Sequence, residues 1–199
     1  MKQSTILLAM FAFLGLTSFA QRSTNAKDAD YSFLKGKKDM NIVFDYEGMT
    51  VGKNKTEEEY VNETVAERNE KKAGTGDEWR KSWEKGKLNI YEPSFKAILS
   101  KKLGKVGIVV SEGDNAEVTV IVRTTRIEPG FNAGVVAMEA QIDVEYIFVE
   151  TANKDNILAT VVMSKVMGTD TYTVSDRVNA AYVNAGGGLG MYMKKSLSK

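Results

Sequence analysis

The chain has 199 residues, with 27 Lys and Arg against 26 Asp and Glu, and it contains neither cysteine nor histidine. The first absence excludes disulfides, thiolate metal sites and a cysteine nucleophile. The second removes the side chain most used for proton transfer near neutral pH, and with it Ser–His triads and histidine-bearing metal centres. Balanced charge provides no global field to gather nucleic acid, which is not expected as a partner.

Residues 1–20 read as a signal peptide. Lys2 supplies the basic start, Ile6–Leu16 (ILLAMFAFLGL) is the apolar stretch, and Ser18 and Ala20 are the small residues before a cut near Ala20. The apolar run is too short to span a bilayer, and no later segment approaches it, so no transmembrane segment is expected. The missing cysteine also removes a lipid anchor. The expected product is exported, periplasmic or secreted, with about 180 residues and one hydrophobic core.

Residues 21–39 form a polar leader that docks loosely through Tyr31 and Phe33. Met40–Tyr46 (MNIVFDY) is a short β-branched run, read as a central or near-central strand. The insertion 51–87 is highly charged, and KTEEEYVNETVAERNEKK places acids early and bases late, as a helix dipole favours. Its apolar stripe is thin, and AGTGD breaks it, with Asp77 expected to cap EWRKSWEK. Glu92–Leu103 is a stronger helix: Phe95, Ile98, Leu99 and Leu103 recur at helical spacing, Pro93 suits a first turn, and Gly104 closes it.

Strands follow. Val106–Glu112, Ala116–Glu128, Val135–Glu150 and Ile157–Gly168 are separated by the turn signals GDN, PG and ANKDN, so hairpins and antiparallel neighbours are expected. Val135–Glu150 alternates cleanly, with apolar residues at the even positions 136–148 and acids among the odd ones. That pattern gives one face to the core and one to water. A final helix, capped by Ser175 or Asp176, carries Gly186, Gly187, Gly188 and Gly190. The order predicts one α+β domain over 40–199: a two-layer α/β sandwich with a mostly antiparallel, mixed sheet of about five strands and helices on one face.

The glycines fit no phosphate-cradling template. Met191 stands where a dinucleotide fingerprint needs its third glycine, and the Lys-Ser/Thr of a P-loop is missing. They read as a small-residue face that lets the helix lie close to a sheet, with a kink or split near Gly187 left open. Glu139, Asp143 and Glu145 form an acidic row on the open sheet face. They serve a carboxylate hydrolase, or more simply pair with Arg123 and Lys165 across strands. No calcium loop is present. Trp79 and Trp83, four residues apart, either anchor their helix or offer a platform to a glycan or lipid. Phe131, in the RIEPGFNAG connection, either projects as a protein contact or folds back onto the sheet edge.

NIVFDY, PSFKAILSKKLGKVGIVV, NAEVTVIVRTTRIEPG and AQIDVEYIFVETANKDNIL together resemble the periplasmic α/β domains of the CsgG, FlgO and TolB-N-terminal type. They also resemble small exported Bacteroidetes proteins of unknown function with that domain. The resemblance covers about 40–196. It implies an envelope-associated, non-catalytic domain that works through protein contacts or assembly. The chain departs from the pattern in lacking a lipid-anchoring cysteine and in inserting 51–87. The expectation is therefore a partner-binding or self-associating module with no cofactor, no metal site and no catalytic residue. Its candidate contacts are Trp79, Trp83 and Phe131.

Overall fold

The computed structural model describes residues 23–168 and 173–198. The expected signal peptide and cleavage site lie outside the described residues. In chain order the elements are β1 (Thr24–Asn25), β2 (Asp39–Asp45), β3 (Thr50–Val51), β4 (Lys55–Thr56), α1 (Glu57–Lys71), α2 (Thr75–Gly86) and α3 (Glu92–Leu103). They continue with β5 (Val109–Ser111), β6 (Val118–Glu128), β7 (Phe131–Asn132), β8 (Ala137–Met138), β9 (Gln141–Glu150), β10 (Asn153–Met167) and α4 (Val174–Leu197). The main sheet runs β1-β10-β9-β6-β2-β5, and the two-residue strands β3 and β4 extend it beside the end of β6. This is the expected α+β sandwich with a mixed sheet.

One sheet face builds the core. Ile42 of β2, Val118, Val120 and Val122 of β6, and Ile142, Val144, Tyr146 and Phe148 of β9 are all buried. Period two puts each set on a single face. Phe95, Leu99 and Leu103 of α3 and Val178, Tyr182, Leu189 and Met193 of α4 close over it. Phe95 bridges the layers, edge-on to Phe44 and tilted against Tyr146.

The expected hairpin between Val106–Glu112 and Ala116–Glu128 does not form. β5 and β6 flank β2 on opposite sides, and all three strands are parallel. A parallel crossover ordinarily needs a dozen or more residues. Here Glu112–Glu117 suffices, because β5 is only three residues long and the chain has little to retrace. β2 takes the central place because Met40, Asn41 and Ile42 are buried in succession, whereas Val109 of β5 is exposed.

The leader is corrected as well. Tyr31 and Leu34 are fully buried, the Tyr31 hydroxyl donates to the Ala26 carbonyl at 2.8 Å, and Tyr31 packs edge-on against Phe148. β1 adds a parallel strand to β10. The leader reads as polar because Tyr31, Phe33 and Leu34 are enough to seat its described residues.

The insertion 51–87 is ordered. Thr56 and Glu59 form a reciprocal capping box at the start of α1. α2 begins at Thr75 after Gly74, whose φ is +85°, so Asp77 lies inside the first turn and does not cap. The chain then stays helical from α2 into α3 through a π turn at Lys87–Tyr91. Pro93 explains the turn: it lacks an N–H and its ring crowds the carbonyl four residues back, at Asn89, and a wider turn relieves both. The cap of α4 is Thr173, accepting from the Asp176 N–H at 3.1 Å, in place of Ser175 or Asp176.

Candidate functional site

Val135–Glu150 is not one strand. It breaks before β9, and its first residues fold into a separate ribbon. Phe131 pairs with Met138 and Asn132 with Ala137. Gly130 makes the turn into the ribbon at φ +63°, where a Cβ would lie 2.2 Å from the Met138 carbonyl oxygen, so no larger residue fits. At the tip, the Ala133 N–H donates to the Val136 carbonyl at 2.9 Å, and the Gly134 N–H donates to the Asn132 side chain at 3.0 Å.

The ribbon projects apolar side chains into solvent. Val135 is fully exposed (101%), Val136 is 57%, Phe131 46% and Met138 38% exposed. Phe131 therefore stands in the first ribbon pair, and Val135 and Val136 occupy the tip. Alternation through positions 136 and 138 had placed Val136 and Met138 in the core. Parity carries no information once a strand breaks, and the sequence signal for the break was Pro129, Gly130 and Gly134.

The base of the ribbon is fixed from within. Arg177, only 3% exposed and in the first turn of α4, donates from Nε to the Pro129 carbonyl at 3.3 Å and from Nη2 to the Gly130 carbonyl at 3.4 Å. Other exposed apolar side chains lie at the end of β10 and in the π turn. Met167 ends β10, where the Gly168 N–H bonds the Ala140 carbonyl at 2.8 Å. Leu88 and Ile90 emerge from the π turn, and Ile90 lies across a cavity from Thr173–Ser175 at the start of α4. The hairpin, with Met167 beside its base, makes an apolar pole.

The tryptophans sit at the α1/α2 contact. Trp83 is buried and donates from its indole nitrogen to Glu57 at 2.7 Å, and Lys87 bonds the same carboxylate. Trp79 stacks on Trp83 at 5.6 Å, meets Tyr60 edge-on and carries the Arg68 guanidinium 5.5 Å from its ring centre. This is an anchor: Tyr60 and the two indoles give two charged helices their shared apolar contact. Trp79 and Trp83 also line a cavity of about 700 Å³ together with Tyr91, Asn89, Arg68 and Lys85.

Of the expected acidic row, Asp143 and Glu145 lie on β9 and have partners, whereas Glu139 falls before the strand and outside the row. Asp143 accepts from Arg126 Nε at 2.7 Å and from the Lys165 backbone N–H at 2.5 Å. Arg123 spans Asp45 at 2.7 Å and Glu145 at 3.6 Å. The Glu47 backbone N–H, with Arg123 beside it, holds the Asp45 carboxyl below its usual range. No group of three or more carboxylates stands close enough to hold a metal among the described residues.

The glycines make a seam between helices. α4 runs unbroken through all four. A Cβ at Gly186 would stand 2.8 Å from the Phe95 carbonyl oxygen, and one at Gly190 would stand 2.6 Å from the Cβ of Lys102. These positions are one turn apart and face α3, with both helices advancing in the same direction. Only Gly188 faces the sheet, against Met163. The close approach is thus chiefly to a helix, not to the sheet expected from the sequence.

No helix among the described residues is long and apolar enough to cross a membrane. No protein-family model and no curated protein matches the chain. Among solved structures, the PelC dodecamer from Paraburkholderia phytofirmans is matched at 13% identity over 85% of this chain and 94% of that one, with a TM-score of 0.36. A neuraminyllactose-binding hemagglutinin homologue from Helicobacter pylori is matched at 16% identity over 83% of this chain and 88% of that one, with a TM-score of 0.37. At such scores the likeness is coarse and transfers no function.

Proposed function

We propose that this is an exported, non-catalytic domain of the cell envelope or its exterior that works through protein contacts, and that its contact surface is the apolar pole. The signal-like residues 1–20 motivate the location, and the resemblance to CsgG-, FlgO- and TolB-type domains agrees with it. The observation that carries the reading is the hairpin: four large apolar side chains held in water on a base fixed by a buried arginine. Soluble monomers rarely maintain such a patch without a use. The open sheet face is a poorer candidate, because its charges already pair with one another.

The test is a photo-crosslinking residue placed at Val135 in cells that make the protein. A discrete protein adduct, absent when the residue replaces Val109 at the far sheet edge, is the expected result. No adduct at Val135 defeats the reading.

A glycan or lipid ligand is a second reading, favoured by one observation, the aromatic and cationic lining of the Trp79/Trp83 cavity. Tryptophan fluorescence during a glycan titration tests it. It fails if no titration changes the emission, or if Trp79→Ala titrates as the parent does.

A further inference from the structure

We propose that the apolar pole is a homodimer contact, in which two copies of this chain meet hairpin to hairpin about a two-fold axis. The inference rests on the protein-contact reading above and names the occupant of that surface.

The surface is apolar enough for a contact between two copies. The exposed parts of Phe131, Val135, Val136, Met138 and Met167 amount to roughly 400 Å² of apolar area, the size of the largest patch a monomer ordinarily leaves. That is about half of the ~800 Å² each partner gives to a standard interface, which makes the contact a small one. The tip N–H groups of Ala133 and Gly134 already have acceptors within the hairpin, so burying them strands no donor there. The Arg177 anchor pre-forms the ribbon, so little order is lost on docking.

Charge selects the occupant. A two-fold axis brings each residue near its own copy, so any charge at the centre would face a like charge. Residues 129–138 (PGFNAGVVAM) contain none, and the flanking Glu128 and Glu139 stand at the rim. A heterologous partner is ordinarily recognised by complementary charge, which this surface does not offer. A bilayer fits worse: anionic lipid attracts Lys and Arg beside an inserting loop, and no Lys or Arg occurs from 127 to 153. Symmetry also suits the backbone. A ribbon with two residue pairs is marginal alone, and a two-fold copy laid along its edge runs antiparallel and makes a four-stranded sheet.

The absence of cysteine makes the test direct. In the purified protein, sedimentation should give twice the chain mass. Val135→Asp/Val136→Asp should shift it to the monomer, weakening association at least 100-fold, with circular dichroism and melting unchanged. Val135→Cys should yield a covalent dimer on mild oxidation, and Val109→Cys should not. A monomer across the accessible concentration range, or equal crosslinking from both cysteine variants, overturns the dimer. Co-sedimentation with phosphatidylglycerol vesicles that Val135→Asp/Val136→Asp abolishes also overturns it, in favour of a membrane. A monomer that still gives a heterologous adduct at Val135 in cells defeats the dimer and leaves the protein-contact reading standing. A monomer with no adduct defeats both.

Discussion

The α3/α4 seam and the 130–138 hairpin are built from similar residues and end in opposite environments. The α4 side of the seam (178–193) and the hairpin are both rich in glycine, alanine, valine and methionine, and neither contains a charge. In the seam, Gly186 and Gly190 remove side chains so that the chain itself fills the space, with Phe95, Ile98 and Leu99 against the α4 backbone. In the hairpin, Gly130 and Gly134 shape the turn, and nothing within the described chain covers Val135. The seam is apolar chemistry completed in one molecule; the hairpin is the same chemistry left open. Substitution should therefore cost stability in the first and association in the second.

The largest expected effect tests the seam. Gly186→Leu drives a side chain into the Phe95 carbonyl and Ile98, and should destabilise the fold by about 3 kcal/mol, the upper range for overpacking. Gly187→Ala, where a Cβ meets only Ile98 at 3.5 Å, should instead stabilise by about 0.5–1 kcal/mol through helix propensity. Equal losses at the two positions in urea unfolding would erase the distinction.

Arg177→Ala links the regions, since it leaves the Pro129 and Gly130 carbonyls without their donors. It should lower stability by about 2 kcal/mol and raise amide exchange in 130–138 more than in α3. An unchanged hairpin exchange rate would show that the ribbon holds itself.

The smallest effect lies at Glu92, where α3 begins. Burial raises its carboxyl above the ordinary 4.5, while Tyr46, Lys96 and Lys87 pull the other way. A raised folded value means that its contribution is fully present below the unfolded pKa and is lost as pH rises through the folded one. Glu92→Gln should therefore melt near the parent in acid and above it at neutral pH. A melting difference that shrinks as pH rises would contradict the sign.

Much of the architecture was legible from pattern. Glu92–Leu103 falls on its expected boundaries, and Ile142–Phe148 alternates as expected, because spacing reports a face directly. Strand order was not legible. Whether Val109–Ser111 pairs with β6 or with β2 depends on competition for a central position, which no local signal records. The hairpin was half legible: Pro129 and Gly130 mark its turn, and Phe131 was singled out. Val136 and Met138 were assigned to the core, since their alternation matches that of a buried strand until β9 is seen to start later.

The sequence alone determined the excluded chemistry, the α+β class and the single-core design, because composition and periodicity act through each residue's own transfer free energy and backbone preference. Tertiary structure decided which apolar residues found cover. It set the glycines of α4 against a helix, the tryptophans of α2 against α1, and Val135 and Val136 against water. Burial belongs to pairs of surfaces, and a sequence names only one member of each pair.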